Sequence, residues 1–185
     1  MKRLFRLWLL IALCLALVRC TTTLLLWDRS IAAGKEFLFT GDFERAIEYF
    51  QTAFSKSADE YQKSVSKAYE AWANIGVGNF PTAMSLLEES EELAHNEVSA
   101  SGRLYACYIQ GDYASLAENT EDIYRIPSDF SLKLRGDTLT KTEIANLLML
   151  GLAARYSKNE FTNLKLILDG VYSDPLIDEM EAFFF

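Results

Sequence analysis

Apolar residues recur along this chain at helical spacing. Trp27, Ile31, Gly34, Phe37 and Leu38 mark one stripe. Phe43, Ala46, Ile47, Phe50, Ala53 and Phe54 mark the next, with Glu44, Arg45, Glu48 and Gln51 on the opposite side. An apolar face that returns every three to four residues predicts two amphipathic helices, about 21–39 and 43–55, joined at Gly41-Asp42. The turn signature Gly41-Asp42-Phe43 comes back as Gly78-Asn79-Phe80, as Gly111-Asp112-Tyr113 and, more loosely, as Asn159-Glu160-Phe161. Further helical hairpins are therefore expected over about 58–93, 98–124 and 140–171.

The later hairpins vary the plan. Ala71, Phe80, Ala83 and Leu87 stay in phase in the second, while the third carries Leu104, Leu116 and Thr120 where smaller or aromatic residues would be in phase. Thr140 and Glu143 offer a capping box at the start of the fourth, followed by Phe161, Leu164 and Leu168. Successive aromatics are 37, 33 and 48 residues apart, from Phe43 through Phe80 and Tyr113 to Phe161, so the last interval contains an insertion. Residues 126–138, with Pro127, Ser128, Asp129 and Gly136, are expected as a longer connecting loop, either a tolerated surface loop or part of a functional face. At the end, Asp174 offers an N-cap, Pro175 the first helical position, and Leu176, Ile177, Met180 and Phe183 a closing apolar stripe. The fold class expected is all-α.

Counting from Trp27, small residues Gly34, Ala46 and Ala53 stand seven, nineteen and twenty-six positions on, and aromatics Phe43 and Phe50 sixteen and twenty-three positions on. This pattern resembles the tetratricopeptide repeat, over about residues 24–171. The resemblance implies an α-solenoid of about four hairpins plus a C-terminal capping helix, whose first helices line a concave groove. Carried over position by position, the groove would be lined by Lys35 and Phe39, Trp72 and Ile75, Tyr105 and Tyr108, and Met149 and Tyr156. Amphipathic aromatics suit recognition of an extended or helical peptide. The same residues could instead fill the interior of the superhelix.

The N-terminus changes the setting. Met1 to Arg6 is basic and Leu7 to Val18 is a twelve-residue apolar run, which is signal-peptide length. Residues 1–20 are read as a signal peptide or an uncleaved membrane anchor, ahead of one repeat domain over 21–185. Leu17-Val18-Arg19-Cys20 resembles a bacterial lipobox, with Arg19 where that pattern has a small residue, so Cys20 is a possible lipidation site. Cys14 would leave with the leader, and Cys107 would remain as a buried helix thiol. Location in a bacterial cell envelope, facing the periplasm or exterior, follows.

The net charge is -8, but Lys2, Arg3, Arg6 and Arg19 fall in the leader, and residues 20–185 carry 14 basic and 26 acidic side chains. That balance disfavours nucleic acid and favours a basic or mixed-charge protein partner. Catalytic material is sparse. His95 is the single histidine, Ser64-Val65-Ser66-Lys67 matches S-x-x-K without its companion motifs, and no glycine-rich phosphate loop occurs. The acidic run Glu88 to Glu92 spreads around its helix as a solvated face. The functional expectation is a noncatalytic, membrane-tethered adaptor without cofactor or metal, holding a protein or peptide. The alternative is a small-molecule-binding or transporter accessory protein whose groove is closed by its own aromatics.

Overall fold

The computed structural model describes residues 25–168 and 170–185. The expected signal peptide or anchor, with Cys14 and the lipidation candidate Cys20, lies outside the described residues. Helix α1 covers 25–40, and the chain continues as α2 (Phe43–Lys56), α3 (Glu60–Val77), α4 (Phe80–Leu93), α5 (Glu97–Gln110) and α6 (Tyr113–Glu118). A 3-10 turn (Thr120–Arg125) and strands β1 (Ser131–Leu134) and β2 (Asp137–Thr140) precede α7 (Lys141–Arg155), α8 (Lys158–Ile167) and α9 (Asp174–Phe184). The protein is mostly helical.

The repeated turn has one atomic plan. Gly41, Gly78 and Gly111 take left-handed backbone, with φ of 81°, 81° and 69°. This frees two amides to bond back onto the ending helix: Gly41 N to Leu38 O (3.3 Å) and Asp42 N to Phe37 O (3.0 Å), with equivalent pairs after α3 and α5. Asp42, Asn79 or Asp112 then stands at the N-cap of the next helix. The fourth supposed copy is not a turn. Ser157 and Glu160 form a capping box that starts α8 earlier in the chain, which places Asn159-Glu160 inside its first turn.

Small residues let large rings lie between helices. A Cβ on Gly34 would overlap the Phe50 ring, and one on Gly76 would overlap Phe43, so α2 packs its two aromatics onto bare backbone in α1 and α3. Phe50 and Ala46 are fully buried. Trp72 is also fully buried and donates Nε1–H to Val98 O at 3.0 Å, tying α3 to α5. The Trp27 indole reaches Ser66 Oγ at 3.0 Å, which fastens α1 to α3.

The mostly helical architecture is consistent with the all-α class expected, but the 126–138 insertion is not simply a loop: β1 and β2 pair antiparallel in the register Leu132↔Leu139 and Leu134↔Asp137. The alternation Leu132-Lys133-Leu134, then Leu139 after Arg135-Gly136, carries the period of a strand rather than a helix. Near the end, the N-cap of α9 is Ser173 and not Asp174. Ile177 and Met180 are buried as expected, but Phe183 is 83% exposed and leaves the stripe. The Thr140–Glu143 capping box does open α7.

Candidate functional site

The hairpin lies against the face formed by α1, α3 and α5. Its turn places Arg135 at φ 51° and Gly136 at φ 86°. Two positive φ values at the centre of a two-residue turn make it type I′, which matches the twist of the strands. The turn amides are spent on α1: Arg135 N donates to Leu38 O (3.0 Å) and Gly136 N to Phe39 O (2.7 Å). Carbonyls at a helix C-terminus have spare accepting capacity and carry partial negative charge: Phe39 O takes one turn amide, and Leu38 O takes the other beside the one it already accepts from Gly41. Leu132 is buried, and Leu134 and Leu139 are half-buried against the core.

Among the described residues, cavities border the hairpin on both sides of its turn. One of about 330 Å³ lies between α1 and β1, lined by Lys35, Phe39, Tyr69, Leu132 and Lys133 among others. Another of about 210 Å³ is lined by Phe43, Ile75, Tyr105, Ile109, Leu134 and Arg135 among others. Cations rest on aromatic faces along this seam. Lys35 Nζ sits 5.2 Å from the Tyr69 ring centre, Lys133 Nζ 5.4 Å from Phe39, and the Arg135 guanidinium 5.5 Å from Phe43. Among the described residues none of these three cations makes an ion pair within 4.0 Å, although Glu36 and Asp137 also line the cavities.

The eight expected groove residues therefore divide. Lys35 and Phe39 line the larger cavity, and Ile75 and Tyr105 the smaller. Burial, then the charge of Asp137, pushes the Tyr105 phenol up, with Arg135 opposing, so it stays a neutral hydroxyl at pH 7. Trp72 and Met149 are fully buried and do not line an open groove in this conformation; Trp72 supports Tyr105 from beneath at 5.0 Å. Tyr108 packs on Tyr113 at 6.3 Å, and Tyr156 lies at the C-cap of α7 under Arg155; neither reaches the cavities. Spacing within a repeat places a residue on a helix face, and cannot say which neighbour will later cover that face. Lys133, Arg135 and Tyr69 join this seam from outside the expected groove set; strand alternation on either side of Arg135-Gly136 is the sequence signal for the first two.

Other chemical candidates prove structural. Ser64 is fully buried and bonds Ala94 O (2.6 Å), Ser90 O (2.8 Å) and Asn96 Nδ2 (2.6 Å), while Lys67 pairs with Glu89 at 2.5 Å. The Ser64 hydroxyl is thus enclosed and engaged by this network, and the Lys67 ammonium is engaged by Glu89. Burial, then the charge of Asp112, raises the Cys107 thiol to about 11, leaving it protonated and inert. The acidic run is not uniformly solvated. Glu91 meets Arg103 (3.5 Å), Arg125 (3.0 Å) and His95 (2.5 Å), while Arg103 grips both oxygens of Asp122 at 2.8 and 3.0 Å. This network clamps the 3-10 turn onto α4 and α5.

Searched against protein-family models, curated proteins and solved structures, the chain matches none.

Proposed function

We propose that this chain is a noncatalytic adaptor of tetratricopeptide-like hairpins that holds a protein or peptide on the face lined by Lys35, Phe39, Ile75 and Tyr105. The observation that supports it is the hairpin itself: a two-stranded segment of the chain already lies on that face, anchored by backbone bonds to Leu38 and Phe39. A face that accepts main-chain atoms and apolar side chains from within the molecule has the chemistry for an extended segment of another. The α1–α2, α3–α4 and α5–α6 hairpins with their common turn fit a solenoid, which α7, α8 and α9 would extend and cap.

The adaptor would be tethered to a bacterial envelope membrane through its N-terminus, by lipid on Cys20 or by an uncleaved anchor. No helix among the described residues is long and apolar enough to cross a membrane, so the tether would come from the leader. Mass spectrometry of the mature N-terminus decides this part. An acylated Cys20 removes the anchor, and a cleaved, unmodified terminus removes both.

For the binding face, a photocrosslinking residue is placed at Phe39 or Tyr105 of the full chain in cells, with Glu44 on the outer helix as control. One protein captured from both groove positions and not from Glu44 supports the reading; equal capture from Glu44 refutes it. A second reading, a small-molecule accessory protein, draws on the hairpin partly roofing two cavities of about 210 and 330 Å³. Thermal stabilisation by members of a small-molecule panel would favour it over a peptide groove.

A further inference from the structure

The hairpin leaves one strand edge open beside a basic slot. In a two-residue hairpin the pair flanking the turn, Leu134 and Asp137, exchanges hydrogen bonds, and alternation makes Lys133↔Thr138 and Ser131↔Thr140 the non-bonded pairs. The amides and carbonyls of Ser131 and Lys133 thus point away from β2. The sheet has two strands only, and among the described residues no other backbone segment pairs with these groups. The opposite edge is less accessible, because Thr140 N is taken by the Glu143 carboxylate at 2.5 Å and β2 runs straight into α7.

The open edge borders the larger cavity, of about 330 Å³, whose far wall is α1. Apolar surface there comes from Leu38, Phe39 and Leu132, and charge from Lys35, Lys133 and Glu36. The two lysines lie over Tyr69 and Phe39, and among the described residues neither has a carboxylate within 4.0 Å. Net charge averaged over the whole chain favours a basic partner, but this slot has the opposite local sign.

We propose that the slot between α1 and β1 receives an extended segment of a partner protein with acidic side chains at alternate positions, adding to β1 as a third strand. Main-chain bonds to Ser131 and Lys133 would hold the segment, and its carboxylates would meet Lys35 and Lys133. The proposal rests on the reading of this face as the binding face and names both the place and the chemistry.

Short random peptides displayed on phage, panned on the full-length chain in detergent micelles, test it. Enriched peptides should carry Asp or Glu at alternate positions. They should bind the Lys35→Glu/Lys133→Glu double variant about tenfold or more weakly, and lose binding when alternate amides are N-methylated. They should bind Ile109→Asp, at the other cavity, as they bind the parent. If charge reversal lowers the melting temperature, the neutral pair Lys35→Gln/Lys133→Gln takes its place in the same comparison. Peptides without acidic bias, indifferent to both lysines or to N-methylation, overturn the slot. Loss of binding only in Ile109→Asp overturns the slot while leaving the face in use, and no enrichment at all overturns both.

Discussion

Substituting Ser64 by alanine separates a structural serine from a chemical one. The hydroxyl has one proton and two carbonyls to give it to, Ala94 O at 2.6 Å and Ser90 O at 2.8 Å, and it accepts from Asn96 Nδ2 at 2.6 Å. Some of these groups keep other partners. Ser90 O still accepts Ala94 N at 3.1 Å, and Asn96 Nδ2 still reaches Ser90 Oγ at 3.0 Å. Ala94 O retains only the 3.4 Å contact from Asn96. The loss is thus about one well-made buried hydrogen bond plus one poorly satisfied carbonyl, about 2 kcal/mol. For a domain of this size that lowers the melting temperature by about 4–8 °C, read by circular dichroism or calorimetry. Ser55, whose hydroxyl bonds Thr52 O on the exposed surface, is the control, and Ser55→Ala should change stability by less than about 0.5 kcal/mol. A Ser64→Ala protein that melts with the parent would refute the network's role. One that melts normally and loses a cellular function would also revive a chemical role for this serine.

Three further outcomes are expected. Gly34→Ala should destabilise by about 1–3 kcal/mol in urea titration, because the added methyl meets the fully buried Phe50 ring, itself stacked on Tyr69 at 5.3 Å. Arg135→Asn should be more stable than Arg135→Ala by about 1 kcal/mol: both lose the guanidinium over Phe43, but asparagine tolerates the left-handed backbone at φ 51° that alanine resists. Burial raises the Glu91 carboxyl, but bonds from Ser99 and His95 and the charges of Arg103 and Arg125 outweigh it and hold it below the ordinary 4.5. The ionised form therefore contributes stability that is present above pH 4.5 and lost as pH falls through the lowered value. The gap in melting temperature between parent and Glu91→Gln should narrow over that range, and a gap constant with pH would contradict the assignment.

The helices and their turns were legible because local chemistry decides them. A glycine that can take positive φ, an Asp or Asn to cap, and an aromatic to follow specify the first three hairpins without reference to anything distant, and the Thr140–Glu143 box likewise announces α7. Half of the expected groove residues, Lys35, Phe39, Ile75 and Tyr105, line the cavities beside the hairpin for the same reason, since helical periodicity fixes direction. What periodicity cannot fix is cover. Trp72 and Met149 are buried by helices whose approach depends on the summed packing of distant residues, and the hairpin reaches α1 across nearly a hundred residues of chain to occupy the Leu38 and Phe39 carbonyls. The chain by itself determined a row of capped amphipathic helices with an insertion. Only tertiary packing decided that the insertion folds as strands onto the helical face, because those carbonyls and rings offered its backbone and its cations partners that no local segment could supply.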